Sequence, residues 1–339
     1  MQNILVTGGC GYIGSHTLVC LVQAGYFPIV FDNLSNSSQR TLERVEQLTG
    51  IKPGFMLGDI TDFKSVDYIL KHVDFAAVIH FAGLKAVGES VSDPLSYYHN
   101  NVYGSLQLIA AMKKNDVKTL IFSSSATVYG LPTSLPLKED MPLSEPTNPY
   151  GMTKRVVERM LSDLYESDPS WSIMLLRYFN PVGAHHSALI GEDPRGIPNN
   201  LMPFIAQTAI GTREKVMVYG DDYPTPDGTG IRDYIHVMDL AEGHVKALEY
   251  CLDNTRLELV NLGTGKGYSV IEVLTAFANA SGMDIPFEIV ERRAGDIASC
   301  YADPLHAKQL LNWQAQYGIE QMCQDAWQWQ LLNPAGYDD

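Results

Sequence analysis

The string Thr7-Gly8-Gly9-Cys10-Gly11-Tyr12-Ile13-Gly14 constrains this chain more than any other feature. Its glycines at 8, 11 and 14 follow an apolar, strand-like run at residues 4–7 and open a stretch with helical spacing at 16–24. A strand that feeds a glycine-rich turn and then a helix meets the needs of a dinucleotide site. The backbone turns tightly, approaches a pyrophosphate closely and aims helix N–H groups at it. Eighteen residues past Gly14, Asp32 ends the next apolar run. A carboxylate there accepts hydrogen bonds from both ribose hydroxyls and repels a 2′-phosphate, which favours NAD over NADP. The spacing is Gly-x-x-Gly-x-x-Gly, not the Gly-x-Gly-x-x-Gly of simple dehydrogenases.

The first half continues the same alternation. Apolar runs at 28–32, 55–57, 76–80, 119–123 and 172–177 read as strands. Residues 39–48, a stretch capped by Asp62 and running to 71, then 95–114 and 150–166 read as helices. Strands alternating with helices imply βαβ units, and continuous apolar strands fit a sheet covered on both faces. The fold class is therefore α/β, a Rossmann-type doubly wound parallel sheet. Past Tyr178 the pattern degrades. Residues 180–203 and 221–230 are turn-rich and read as loops, with helices at 240–250 and 270–280. At roughly 150 residues per domain the length of 339 suggests two domains. We expect an NAD-binding domain over 1–178 and a smaller, mixed α/β C-terminal substrate domain over 179–339. Segments such as 216–219 and 257–261 could join either sheet, so some interleaving is expected.

Composition removes several function classes. Hydrophobic residues make up 45% and charged residues 19%, which fits packed domains rather than disorder. Acidic residues outnumber basic ones 39 to 24, a net charge of −15 that repels a nucleic-acid backbone. One local pocket can still oppose that sign and hold a phosphate-bearing small ligand. No apolar run reaches the ~18 residues of a membrane span, and the N-terminus lacks the pattern of a signal peptide. Cys10, Cys20, Cys251, Cys300 and Cys323 are widely spaced and include no Cys-x-x-Cys pair, so neither a disulfide framework nor a metal site is suggested. A soluble, cytoplasmic protein with no nucleic-acid or membrane partner is expected.

A second constellation carries chemistry. Tyr150 and Lys154 are four apart at the start of an expected helix and share a face. A nearby ammonium favours the phenolate and lowers the tyrosine pKa from ~10 towards working pH, making Tyr150 a usable general acid/base. Ser123-Ser124-Ser125 follows a strand's C-terminal end, where open α/β sheets bind ligands, and a hydroxyl there can hold a reacting sugar oxygen.

The glycine turn, the serine and the Tyr-x-x-x-Lys pair together resemble the extended short-chain dehydrogenase/reductase family. Longer strings resemble its UDP-sugar 4-epimerase branch: His80-Phe81-Ala82-Gly83-Leu84-Lys85-Ala86-Val87-Gly88-Glu89-Ser90, FSSSATVYG at 122–130, LRYFNPVGAH at 176–185, GIPNNLM at 196–202 and RDYIHVMDL at 232–240. The match runs from Met1 to Gly336-Tyr337-Asp338. The resemblance implies reversible interconversion of UDP-glucose and UDP-galactose by C4 oxidation, rotation of a 4-keto intermediate and re-reduction. The NAD would stay bound, because the cycle has no net redox change. Catalysis would fall to Tyr150, Ser125 and Lys154, with Lys154 acting on both Tyr150 and the nicotinamide ribose.

The same resemblance implies NAD contacts from Gly8, Gly11, Tyr12, Ile13, Gly14, Asp32, Asn33, Asn36, Ser37, Asp59, Ile60, Phe81, Ala82, Gly83, Lys85, Asn100, Ser125, Tyr150, Lys154 and Phe179. It implies UDP-sugar contacts from Ser125, Tyr150, Asn180, Asn200, Leu201, Met217, Val218, Tyr219, Arg232, Arg293, Asp296 and Cys300. The two arginines suit a diphosphate because each offers a planar fork of donors. A homodimer is also implied, through helices within 100–114 and 154–166. The family often carries a tyrosine seven residues past the arginine of Arg-x-Gly-Asp, where this chain has Cys300. A smaller side chain leaves room beside C2 of the sugar, so N-acetylated sugars, UDP-GlcNAc and UDP-GalNAc, are expected substrates as well.

Other signals read as structure. Gly263-Thr264-Gly265-Lys266-Gly267 lacks Walker spacing and reads as a strand-to-helix turn. His185-His186 reads as loop, and Trp313, Trp327 and Trp329 as packing on a terminal helix. Two other functions compete with epimerisation. A 4,6-dehydratase of the same fold needs an added acid near the serine, whereas Ala126-Thr127 follow Ser125 here. A non-catalytic NAD-sensing module would not need Tyr150 and Lys154.

Overall fold

Neighbouring residues of the first strand, β1 (Asn3–Thr7), pack into two different cores. Ile4 and Val6 join one and Leu5 the other, the mark of a sheet covered on both sides. The computed structural model describes residues 1–293 and 295–337; Asp338, at the end of the motif match, lies outside them.

The first half alternates strands β2 (Phe27–Asp32), β3 (Gly54–Leu57), β4 (Phe75–His80), β5 (Thr119–Ser125) and β6 (Ser172–Tyr178) with helices. The helices are α1 (Tyr12–Gln23), α2 (Arg40–Thr49), α3 (Phe63–His72), α4 (Val87–Ser92), α5 (Pro94–Tyr97), α6 (Gly104–Lys114) and α7 (Pro149–Ser167). The second half holds β7 (Asn180–Val182), α8 (Leu201–Ala209), β8 (Val216–Tyr219), β9 (Ile231–His236), α9 (Val237–Asp253) and β10 (Leu257–Leu262). It continues with β11 (Gly267–Ser269), α10 (Val270–Ser281), β12 (Phe287–Val290), β13 (Ser299–Cys300), α11 (Leu305–Leu311) and α12 (Ile319–Leu332).

Seven parallel strands form the main sheet in the order β10-β6-β5-β4-β1-β2-β3. The order reverses at β1 and β4, and the crevice beyond their C-terminal ends is where such sheets take ligands. Leu18, Val45, Leu240 and Leu248 of α1, α2 and α9 cover one face. Val66, Leu108 and Leu161 of α3, α6 and α7 cover the other. Of the two segments able to join either sheet, 257–261 enters the main one as β10, beside β6. Residues 216–219 form β8, which pairs with β12 in the second lobe. That lobe also pairs β9 with β7, β11 and β13, under α8, α10 and α12. No helix among the described residues is long and apolar enough to cross a membrane.

Local chemistry sets the helix starts that matter here. Asp62 accepts a hydrogen bond from Lys64 N and caps α3. Asn148 accepts one from Gly151 N with Pro149 in the first turn, so α7 begins just before Tyr150. Four expectations need correction. Residues 263–267 lead from β10 into β11, which pairs with β9, rather than directly into a helix. The stretch 95–114 is not one helix: a π-helical turn, Tyr98–Tyr103, separates α5 from α6. Residues 180–203 are not all loop, because β7 pairs with β9 and α8 begins at Leu201. Trp313 lies beyond α11, not on the terminal helix, and its indole N–H donates to Asp239 O at 3.1 Å. In each case a long-range contact overrides local periodicity.

Candidate active site

The glycine turn is built from backbone packed on backbone. Gly8 has a φ of +69°, and a Cβ on it would lie 2.7 Å from Ala82 N at the end of β4. A Cβ on Gly14 would lie 2.5 Å from Gly8 O. Gly11 caps α1 with no side-chain hydrogen bond, which leaves the first N–H groups, beginning at Tyr12 and Ile13, aimed at the crevice. Tyr12 reaches across to the second lobe, its hydroxyl donating to Gly183 O at 2.7 Å.

Asp32 ends β2 buried, accepting from Cys10 N at 3.0 Å, Leu34 N at 2.9 Å and Ser37 Oγ at 3.0 Å. Those bonds fold residues 33–37 into a turn that exposes Asn33 and Asn36. Asn33 Nδ2 donates to Asp59 Oδ2 at 2.8 Å, and Thr61 donates to the other oxygen from its N–H and hydroxyl. Burial raises the Asp59 pKa, but these bonds outweigh it and hold the carboxyl below its ordinary value. Ile60 beside it is buried.

Phe81, Ala82 and Gly83 follow β4 at the switch point, and Asn101 fastens the next residue. Its Oδ1 accepts from Leu84 N at 2.8 Å and its Nδ2 donates to Leu84 O at 2.9 Å and to Thr153 Oγ1 at 3.1 Å. Asn101 and the half-buried Asn100 both sit on the π turn. Such widened turns recur at functional sites because they re-aim side chains.

At the end of β5 the serines point in different directions. Ser124 Oγ donates inward to Glu158 Oε1, while Ser125 is half-buried and accepts from Thr127 N at 3.2 Å and Thr127 Oγ1 at 2.9 Å. Tyr150 faces Ser125 from the first turn of α7. Lys154, one turn on, is buried with its Nζ donating to Ser123 O at 2.6 Å. The expected depression of the Tyr150 pKa by that ammonium does not occur here. Burial raises it, and a hydrogen bond with Ser125 only partly offsets the rise. Lys154 Nζ lies 6.0 Å from the Tyr150 ring centre and is spent on the Ser123 carbonyl. Burial also lowers Lys154 itself to about 8, against the pull of Glu158.

Glu158 was not singled out from the sequence, although it lies four residues past Lys154, on the same helix face. It is buried and takes Arg177 in a two-pronged pair, Nε at 2.9 Å and Nη2 at 2.7 Å.

The second lobe supplies the opposing wall. Asn180 lies exposed on β7, and Phe179 before it is buried. On β8, Met217 and Tyr219 are exposed while Val218 points into the lobe's core, so its side chain is not part of the wall. Arg232 of β9 donates to Ile231 O and Ile297 O, both at 2.8 Å, and lies 3.9 Å from Asp296. Arg293 pairs with the same carboxylate at 3.0 and 3.2 Å and lies 5.6 Å from the centre of the Tyr219 ring. Asp296 therefore holds both guanidinium groups together. Cys300 pairs in register with Arg232 and packs with Ala126, Phe179 and Val128 beside the serine run. Asp233, fully buried and unmarked by any sequence motif, accepts from Thr264, Gly265 and Ala302 and so holds the strand end that carries Cys300. Asn200 precedes α8 and donates to Glu192 at 2.7 Å, Lys85 reaches the same oxygen at 3.1 Å, and Leu201 opens the helix. Glu192, with no motif to mark it, thus joins the two halves.

A family model described as GDP-mannose 4,6 dehydratase matches residues 5–326. The UDP-glucose 4-epimerase of Bacillus subtilis is 58% identical over 334 residues, 98% of this chain and 98% of that protein. That of Dictyostelium discoideum is 56% identical over 340 residues, 100% of this chain and 98% of that protein. The crystal structure of UDP-glucose 4-epimerase from Bifidobacterium longum, in complex with NAD+ and UDP, superposes with a TM-score of 0.97 at 52% identity and covers 99% of this chain and 100% of that one. The chain belongs to the UDP-glucose 4-epimerase family. Dehydratase chemistry, named by the broader family model, calls for an acid beside the serine. In this UDP-glucose 4-epimerase family member that place is held by Ala126 and by Thr127, whose hydroxyl donates to Ser125.

Proposed function

We propose that the chain interconverts UDP-glucose and UDP-galactose by reversible oxidation at C4 of the sugar, with NAD held throughout. The observation that carries this reading is Tyr150 in the first turn of α7, backed by Lys154 and facing Ser125 at the C-terminal end of β5, with Arg232 and Arg293 on the second lobe. The residues present fit NAD. The uncapped N-terminus of α1 suits a pyrophosphate, Asp32 and the 33–37 turn suit a ribose, and Asp59 with Ile60 suits adenine. Gly83, where a Cβ would lie 3.7 Å from Lys154 Nζ, together with Lys85 and Asn100 completes the proposed cofactor contacts. When bound, NAD supplies the two-electron acceptor and donor for C4.

The chain supplies everything else. Tyr150 Oη takes the proton of the 4-hydroxyl and later returns it, and Ser125 Oγ holds the same sugar oxygen. Lys154 favours the phenolate once its ammonium is drawn towards the cofactor ribose. Inversion requires the sugar to present both faces, so the grip must lie elsewhere. Arg232 and Arg293 hold the diphosphate, with Asp296 positioning both. Met217, Tyr219 and the backbone of Val218 hold the uridine, and Asn180, Asn200 and Leu201 complete the wall. The main sheet with α9 and β10 then carries the cofactor, and the lobe of β7–β9 and β11–β13 carries the substrate.

The small Cys300 leaves space beside the sugar, which extends the substrate range to UDP-GlcNAc and UDP-GalNAc. Cys300→Tyr should abolish UDP-GlcNAc turnover and spare UDP-galactose; equal loss of both sinks that extension. Tyr98 and Tyr103 on the π turn and Leu106 on α6 lie exposed, which supports a homodimer through the helices within 100–114 and 154–166. Five free, buried cysteines support the cytoplasm as its place. Proton NMR of UDP-galactose with the purified protein and no added NAD tests the main reading. A steady mixture with UDP-glucose supports it, and no change even after NAD is added removes it.

A further inference from the structure

We propose that residues 191–200 form a strap that keeps the cofactor from leaving, and that Arg195 and Tyr337 are its two positioning residues. The inference rests on the reading above that NAD is held throughout. The strap is anchored at the C-terminal end of the chain. Gly191 N donates to the Tyr337 hydroxyl at 3.1 Å, which donates back to Gly191 O at 3.3 Å. Tyr337 N donates to Asp193 Oδ2 at 2.9 Å, and the Trp329 indole N–H donates to Glu192 O at 3.1 Å. The Tyr337 ring packs on Trp329 at 4.9 Å, with the Arg44 guanidinium 4.8 Å from one ring centre and 5.6 Å from the other. Two glycines make this fit. A Cβ on Gly191 would lie 2.3 Å from Trp329, and one on Gly336 (φ +74°) would lie 2.2 Å from Asp193.

The other end of the strap crosses to the cofactor half. Arg195 donates from Nη1 to Ser35 O at 3.2 Å and from Nη2 to Ser37 O at 2.7 Å. Those carbonyls belong to the turn after Asp32, and Ser37 Oγ itself donates to Asp32. Between the ends, Glu192 takes Lys85 from one half and Asn200 from the other. A ribose seated on Asp32 is therefore enclosed by a turn that opens only if Arg195 lets go. Arg195, Gly196 and Ile197 are exposed, so packing does not hold this arm in place. The two charge-assisted bonds and the Tyr337 anchor hold it. An enzyme whose cofactor returns to its starting state each cycle has no use for exchange, and a closed strap suits that economy of motion.

The test compares holoenzyme of the wild type with Arg195→Gln, Tyr337→Ala and Tyr337→Phe. Each is transferred to NAD-free buffer, and retained NAD is counted after gel filtration over time. Arg195→Gln and Tyr337→Ala should lose NAD at least about tenfold faster than wild type, about 1.4 kcal/mol in the barrier to escape, with Tyr337→Phe between. Excess NAD should restore their turnover, and trypsin should cut Tyr337→Ala faster after Arg195. Tyr337 is buried, so its alanine variant tests folding as well; Arg195 is on the surface, and its variant decides alone. Wild-type release rates in Arg195→Gln, from a wild type that retains NAD, overturn the strap and leave the functional reading intact. A wild type that retains no NAD overturns both.

Discussion

His80, the last residue of β4, predicts a specific acid lability. It is 2% exposed, with Nδ1 2.7 Å from Thr7 Oγ1 and Nε2 2.9 Å from Ser105 Oγ. Burial, and then the nearby Lys154 ammonium, lowers its pKa from 6.5 to about 3. The folded protein therefore keeps this ring neutral while the unfolded chain takes up a proton below about pH 6.5. The unfolded state binds more protons in that window, so stability falls as pH drops from about 6.5 towards about 3. At pH 5 the loss from this one group is about 2 kcal/mol, a sizeable part of the ~5–15 kcal/mol that holds a typical native state. His16, lowered to about 3, and His185 and His244, lowered to about 4, act in the same direction. Buried carboxylates with raised pKa values, Asp233 and Asp239 among them, act in the opposite one. Comparing wild type with His80→Gln isolates the single group, because glutamine can bond to both hydroxyls and does not titrate. Urea unfolding followed by circular dichroism at pH 7 and pH 5 should show the wild type losing about 2 kcal/mol more than the variant. Equal losses would refute a neutral, buried His80.

Three further outcomes are expected. Tyr150→Phe should lower kcat by roughly 10²–10⁴-fold while the purified protein keeps its NAD absorbance, which separates proton transfer from cofactor binding. Gly14→Ala puts a Cβ 2.5 Å from Gly8 O and 2.7 Å from the Gly9 Cα, neither able to yield cheaply; NAD per chain should drop sharply, whereas Gly11→Ala, 3.3 Å from Gly8 O, should lose less. Glu158→Gln strands Arg177 as a buried cation and should cost about 3–5 kcal/mol in unfolding experiments. It also removes the charge that raises the Lys154 pKa, so the alkaline limb of the activity profile should move to lower pH.

Local rules made much of this protein legible from its residues alone. The glycine turn, Asp32 at a strand end, the Asp62 cap and the uninterrupted apolar strands each report on a few neighbouring residues. Together they implied a doubly wound sheet and a dinucleotide site. Tyr150 and Lys154 were legible as a pair because helical spacing places them on one face. Other features depended on partners far along the chain. Periodicity could not say that β10 returns to the main sheet beside β6, since strand pairing is chosen by long-range packing. It could not show that the 95–114 stretch breaks into a π turn so that Asn101 can grip Leu84. It placed the Lys154 ammonium on the Tyr150 phenol, whereas burial and the Ser123 carbonyl decide otherwise. Asp233, Glu192 and the Tyr337 anchor carry no motif, because each depends on a partner far along the chain: Thr264 for Asp233, Lys85 for Glu192 and Gly191 for Tyr337. What the sequence alone determined is therefore the chemistry that neighbouring residues can express. Tertiary structure decided the ionisation, the grip of the two arginines and the closure of the strap, because burial and charge pairing exist only once distant segments meet.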